Sequence, residues 1–348
     1  MKFLKYFLIF IPISVLCEFL KVSESYIFLF SALSIIPLAG LMGEATEGIS
    51  AFSGPRIGGF LNATFGNATE LIISFFALKA GLFDVVKASI AGSVIGNILL
   101  VLGASMLFGG FKYKTQKFNK KAIEVSSSML LFSVIGLSVP ALFTHSIDSS
   151  LLNTSRYEWL SIGVALFMFV IYILGLYFSF YTHKDLYGSE HEVVVSEKGN
   201  IRKPILTLAI CTLAIAFESE FLVSSVTPMS KSLGLSSFFV GIILIPIIGN
   251  AAEHTTAIIM AMKNKMDVAI EIAIGSSLQI VLFVCPILVF ISLLFKPMSI
   301  IFNEFELISL IASVFIAVKV SNDGESNWLE GIQLIAVYGI IALCFFML

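Results

Sequence analysis

The sequence predicts an all-α polytopic membrane protein, and three observations carry that prediction. The 348 residues are 58% hydrophobic and 13% charged, with a mean hydropathy of +1.00, whereas a soluble domain is about 25% charged. Apolar runs of roughly 20 residues, the length a helix needs to cross a bilayer, recur along the chain. A short polar motif inside one run returns inside another: GNATE at 66–70 and GNAAE at 249–253.

Taken in order, the runs give about eleven spanning segments. The first, 3–20, reads as an uncleaved helix rather than a secretory signal, because it lacks a small-x-small cleavage site and Leu16 precedes Cys17. Segment 25–50 carries Glu44 and Glu47 in GEATEGIS, and 58–79 opens at Gly58-Gly59 and holds the first motif. Segment 84–108 starts at Asp84, an N-cap residue, and includes GSVIGNILLVLG. Segments 122–143 and 157–181 complete a first half. The second half runs through 203–228, with Glu218 and Glu220 in FESEFLVSS, and 236–262, with Pro246 and the second motif. It continues through 267–294, which starts at Asp267 and includes GSSLQIVLFVCP, then 301–320 and 328–347.

Asp84 and Asp267, and Gly92 and Gly275, stand at the same offset as the two motifs, so the halves read as a duplication. The chain divides into an N-terminal helix (1–22), a five-helix repeat (23–181), a charged linker (182–202) and a second five-helix repeat (203–348). An odd number of spans per repeat makes the second enter the membrane from the opposite side, so the repeats are inverted. Lys112, Lys114, Lys117, Lys120 and Lys121 dominate the positive side, which places the N-terminus in the cytoplasm and the C-terminus outside. The linker, with Asp185, Glu190, Glu192, Glu197, Lys184, Lys198 and Arg202, then lies on the cytoplasmic side.

Helical spacing sets the chemistry of each motif. Asn67 and Glu70 share one helix face, as do Asn250 and Glu253. Ser74 and Thr256 extend these polar stripes, and Gly66 and Gly249 offer a place to bend. A charge in hydrocarbon costs several kcal/mol unless it lines a polar cavity or meets a counter-ion. Two such carboxylates in corresponding places point to a central cation site. Carboxylates, amides and hydroxyls form an all-oxygen set, which suits Ca2+ rather than a softer metal. Ser93, Asn97, Ser276, Ser277 and Gln279 are candidates to complete the cavity or to pack helices closely. Glu44, Glu47, Glu218 and Glu220 either line an entry or gate, or mark helix ends in headgroups, and Glu47 and Glu220 are favoured for the first role. His254 points away from Glu253 around the helix and reads as a neighbour.

Other classes find no support. There is no HExxH, GxSxG or pair of membrane aspartates for an enzyme, and no organic cofactor motif. A net charge of −2 without a basic stripe excludes nucleic acid. Cys17, Cys211, Cys285 and Cys344 form no CxxC and read as packing residues. A homo-oligomer is left open.

GNATEL and GNAAEH, with GSxxGNxLLVLG and GSSxQIxLFVxP downstream, resemble the calcium/proton antiporters of the cation/calcium exchanger superfamily. The resemblance covers nearly the whole chain. It implies that Glu70 and Glu253 are the essential cation- and proton-binding carboxylates, with Asn67 and Asn250 beside them. It also implies that the GEATE and ESEFLV helices slide or tilt during transport. The expected activity is Ca2+/H+ exchange by alternating access, in a plasma or inner membrane. The alternatives are a Na+/Ca2+ exchanger or a divalent cation channel. The sodium branch reads more like G-T-S-x-P-E, and Asn-Ala here argues against sodium coupling.

Overall fold

Each apolar stretch is helical over most of its length in the computed structural model, which describes residues 3–146, 154–187 and 200–348. Glu190, His191, Glu192, Glu197 and Lys198 of the expected linker lie outside the described residues. After a 3-10 turn at Phe3–Ile9 come helices α1 (Phe10–Phe19), α2 (Glu24–Phe65) and α3 (Ala68–Lys79). Helix α4 (Phe83–Ile95) runs through a π segment, Gly96–Val101, into α5 (Leu102–Lys112). A short strand, β1 (Gln116–Lys117), leads to α6 (Lys120–Ser146) and α7 (Thr154–Tyr177), which ends in a π segment at Phe178–Thr182. Helix α8 (Arg202–Leu233) is followed by α9 (Ser237–Phe239), a π segment at Val240–Leu244, α10 (Ile245–Gly249) and α11 (Ala251–Met262). Helix α12 (Met266–Gln279) passes through a π segment at Ile280–Val284 into α13 (Cys285–Ser292). The chain closes with α14 (Glu304–Val320), β2 (Glu325–Ser326) and α15 (Trp328–Met347).

Among the described residues, seven helical spans are long and apolar enough to cross a membrane. Ser237–Gly249 and Ala251–Met262, bent by 59° at a short break, make an eighth if counted as one span. The protein is therefore a multi-pass helical membrane protein. The helical run of α2 also doubles back on itself. The Ser50 hydroxyl donates to the Gly58 carbonyl at 3.1 Å, whereas eight residues of straight helix would separate them by about 12 Å. A Cβ on Gly58 would stand 2.8 Å from Cβ of Ser50, so glycine is what permits the approach. This reversal coincides with the boundary expected between segments 25–50 and 58–79.

The chain gathers into two compact units, each drawing on both halves of the sequence. One comprises Met1–Val85 and Phe178–Ala252, the other Val86–Tyr177 and Glu253–Leu348. In the first unit α2 and α8 pack along their length, with α1 on α2 and α3 on α8. Leu38, Met42, Ala68, Cys211 and Ile215 form the centre of this packing. Gly48 lies against Pro204, where a Cβ would stand 3.1 Å from the proline ring. Helix α8 stops where Gly234 takes a left-handed φ of 68°, a conformation in which glycine has no Cβ penalty.

In the second unit α15 lies along α5 on glycines. A Cβ on Gly331 would stand 2.5 Å from the Leu107 nitrogen and 2.6 Å from the Gly103 carbonyl oxygen. One on Gly110 would stand 2.5 Å from the Trp328 nitrogen. Lipid drives no helices together by hydrophobicity, so close backbone approach and its dispersion contacts hold this seam. Asn303 with Glu306 and Asn327 with Glu330 form capping boxes that start α14 and α15. Strands β1 and β2 pair antiparallel, Gln116 opposite Ser326. The Gln116 amide also donates to the Ala261 carbonyl at 2.9 Å, tying α11 to this strand pair.

Gly331→Ala is expected to wedge this seam apart at a cost of about 1–3 kcal/mol. Gly339→Ala, on the same helix, would meet nothing within 4 Å. Thermal denaturation in one detergent should lower Tm for the first variant and leave the second at the parent value.

Candidate cation site

Both GNAxE motifs break a helix at the same residue. Helix α2 ends at Phe65 and α3 begins at Ala68, while α10 ends at Gly249 and α11 begins at Ala251. Between them Asn67 has φ −102° and ψ 23°, and Asn250 has φ −93° and ψ 4°. These values lie in the sparsely populated bridge region, where active-site residues are often found. The bend expected at Gly66 and Gly249 thus falls one residue later. Asparagine suits the break because its side chain competes for backbone groups: the Asn250 amide donates to the Pro246 carbonyl at 2.9 Å.

The break decides where the glutamates fall. Glu70 and Glu253 each stand in the first turn of the new helix. There the backbone N–H groups lack intrahelical partners, and the positive end of the helix dipole favours negative charge. An uninterrupted helix would offer neither.

In the first unit Glu70, Asn67 and Asn250 are buried, with Glu70 6% exposed. Gly249 lies against the Glu70 carboxylate: a Cβ there would stand 2.9 Å from Oε1 and 3.4 Å from Cδ. The glycine of the second motif is thus the floor on which the carboxylate of the first one rests. Ser74, one turn beyond Glu70, is also buried.

In the second unit Ser276 hydrogen-bonds the Glu253 carboxyl. Oε2 of Glu253 is buried without a hydrogen-bond partner among the described residues. The buried Asn97 side chain sits at the start of the Gly96–Val101 π segment, with its Oδ1 3.0 Å from Nε2 of His254. Its Nδ2 has no partner among the described residues. His254, read from the sequence as a neighbour, therefore holds one of the candidate amides in orientation. Ser93 is buried, Gln279 and Thr256 are half-buried, and the buried Ser277 turns its hydroxyl back to the Ala273 carbonyl at 2.8 Å. That bond favours packing over ligation for Ser277.

The π segments at Gly96–Val101 and Ile280–Val284 occupy corresponding places in the two halves, beside Asn97 and Gln279. Widened turns of this kind are frequent at functional sites. Two π segments, Val240–Leu244 and Ile280–Val284, lead into Pro246 and Pro286. Proline has no N–H and crowds the carbonyl four residues earlier, which a wider turn relieves.

The four outer acids do not share one environment. Glu44 is half-buried, and Glu47 and Glu220 reach the surface. Glu218 is 1% exposed, at the midpoint of the 32-residue α8 rather than near a helix end. Among the described residues no group of three or more His, Cys, Asp and Glu could hold a metal ion. A cation here would meet carboxylate, amide, hydroxyl and carbonyl oxygens.

The fold, the apolar spans and the paired acidic breaks define a membrane exchanger. The model of the sodium/calcium exchanger protein family matches residues 24–181 and 203–347, and the chain belongs to that family. It is 46% identical to a Ca2+/H+ antiporter of Aphanothece halophytica, over 97% of this chain and 95% of the relative. It is 44% identical to the Ca2+/H+ antiporter ChaA of Bacillus subtilis strain 168, over 97% of each. The solved structure of native YfkE superposes with a TM-score of 0.84 at 41% identity, covering 98% of this chain and all of that one.

Gly249→Ala is expected to leave Tm near the parent value, because the atom that must move is the free end of a flexible side chain. It should displace the Glu70 carboxylate and weaken cation binding about tenfold, equivalent to about 1.4 kcal/mol. Calorimetric titration with Ca2+ beside a melting curve separates the two effects.

Proposed function

We propose that this protein exchanges Ca2+ for H+ across a membrane by alternating access, with Glu70 and Glu253 as the shared binding carboxylates. The observation that carries the reading is the pair of helix breaks at Asn67 and Asn250, each setting a glutamate in the first turn of a new helix. The contact of Gly249 with Glu70 supports it, since within one unit it sets the glycine of the second motif against the carboxylate of the first. Relatives with these names, aligned over nearly the whole chain, support the choice of ions.

The chemistry follows from charge. Carboxylates enclosed in a low dielectric cannot remain ionised and empty. They hold a divalent cation or take up protons, and they titrate as a coupled pair. Either occupant neutralises the site, so a loaded site can change its opening while an empty charged one is penalised. That penalty makes the exchange obligatory. Asn67 and Asn250 supply amide oxygens, with Ser93, Asn97, Ser276 and Gln279 around them. Glu44, Glu47 and Glu220 line the approach. An inward proton gradient would then drive Ca2+ out of the cytoplasm.

The same proposal includes eleven spans, an N-terminal helix before two inverted five-helix repeats, a cytoplasmic N-terminus and a plasma or inner membrane. The two stretches matched by the family model, 24–181 and 203–347, support the division into halves. The protein is a transporter rather than an enzyme, and its metal is cargo.

The test is Ca2+ uptake into proteoliposomes under an imposed proton gradient and then a sodium gradient. Proton-driven uptake should fall about 10–100-fold in Glu70→Gln and in Glu253→Gln, as expected for losing about 1.5–3 kcal/mol of a charged interaction. Lowering the pH on the Ca2+ side should raise the Ca2+ concentration needed for half-maximal rate, because protons occupy the same oxygens. Uptake driven only by sodium would assign the other branch of the family. Flux that persists in both variants would show the motif to be structural.

A further inference from the structure

Glu218 is a buried acid that the cation site does not use. It sits halfway along α8, and the Ser14 hydroxyl of α1 lies 2.7 Å from its Oε1, while the buried Ser31 hydroxyl of α2 makes no hydrogen bond among the described residues. All three residues are buried, with Glu218 at 1% and both serines at 0% exposure. Among the described residues no cationic side chain pairs with Glu218. The titratable groups on the packed elements lie elsewhere. On α1, Glu18 is exposed and Cys17 half-buried. On α2, Glu24 lies about 10 Å along the helix from Ser31 and Glu44 about 20 Å, with Glu47 beyond it. On α3 the groups are Glu70 and Lys79. On α8 itself Glu220 faces outward and Cys211 lies two turns away.

The hydrogen-bond inventory then decides the state of the carboxyl. The Ser14 Oγ lies 2.7 Å from Oε1 of Glu218 and 2.8 Å from the Ile11 carbonyl oxygen. Both contacts are of hydrogen-bond length, but a serine carries one hydrogen. If Glu218 were ionised, two acceptors would compete for that hydrogen, and one short oxygen–oxygen contact would have none. If the carboxyl carries a proton on Oε1, it donates to Ser14, and Ser14 donates onward to Ile11. Both short contacts of Ser14 then have their hydrogen and no charge is left in the interior, while Oε2 of Glu218 has no hydrogen-bond partner among the described residues.

We infer that Glu218 is a second proton-binding site, separate from the cation site, and that its proton fastens α1 to α8 through Ser14. The ligand is a proton and not Ca2+: one carboxyl and two hydroxyls fall short of the six to eight oxygens that Ca2+ takes. Losing the proton breaks the chain of donors and leaves a charge between α1, α2 and α8. The site therefore makes the hold of the N-terminal helix on the first unit dependent on pH.

The experiment is infrared difference spectroscopy of the full-length protein in lipid, with and without Ca2+, on the parent, Glu218→Gln and Ser14→Ala. The parent should show a protonated-carboxyl band that persists when Ca2+ is added and vanishes in Glu218→Gln. In Ser14→Ala the same band should remain but shift, because the carboxyl has lost its acceptor. The glutamine keeps shape and a donor to Ser14, and Ser14→Ala carries the test alone if Glu218→Gln does not fold. A parent spectrum matched by that of Glu218→Gln, or a band unmoved in Ser14→Ala, would overturn the inference. Bands that change with Ca2+ belong to Glu70 and Glu253, so failure of the calcium reading would leave this result intact.

Discussion

The structure depends on the cost of placing a carboxylate where hydrocarbon should be. No water in the bilayer core can solvate a stray charge or an unpaired backbone group. Each acid must therefore be given its surroundings by the fold. For Glu70 and Glu253 those surroundings are made by ending one helix and starting another, so that each carboxylate stands in the first turn of a new helix. The breaks at Asn67 and Asn250 each stand three residues before a glutamate. The same cost, met without a helix break, leads at Glu218 to a proton and a serine instead.

The two compact units solve different problems. In the first, α2 and α8 pack through side chains such as Leu38, Met42 and Ile215. That surface carries Glu44 and Glu218 as well, and α1 is laid against it. In the second, α5 and α15 meet backbone to backbone at Gly103, Gly110 and Gly331. Contacts that close leave no clearance for one helix to shift along the other. The second unit therefore resists internal sliding along this seam, while the hydroxyl contacts of α1 on α8 can be made and broken by single protons.

Much of this was legible in the sequence, and what was missed has physical reasons. Hydropathy located the helices, and the repeated GNAxE located the acids, because a charge in an apolar run is conspicuous. The boundary expected between 25–50 and 58–79 falls where the Ser50 hydroxyl meets the Gly58 carbonyl. Less visible was the exact residue of each break: glycine is the better-known helix breaker, but asparagine carries the amide that bonds the exposed carbonyl. The π segments left no signal of their own, since an extra residue per turn alters phase without altering composition. Sequence favoured Glu220 over Glu218 for an entry role but gave no sign that Glu218 is the enclosed one. They lie two residues apart on opposite faces, and only the packing of α1 and α2 against α8 shows which face is enclosed.

The contact of Gly249 with Glu70 gives the duplication an evolutionary consequence. After a gene segment is copied, each copy is ordinarily free to drift while the other preserves the function. Here the glycine of one copy is the ground on which the carboxylate of the other stands, so neither residue can be replaced without reference to its counterpart. A longer side chain at 249 becomes tolerable only beside a shorter acid at 70. The two motifs are in this sense a single heritable unit written in two distant places.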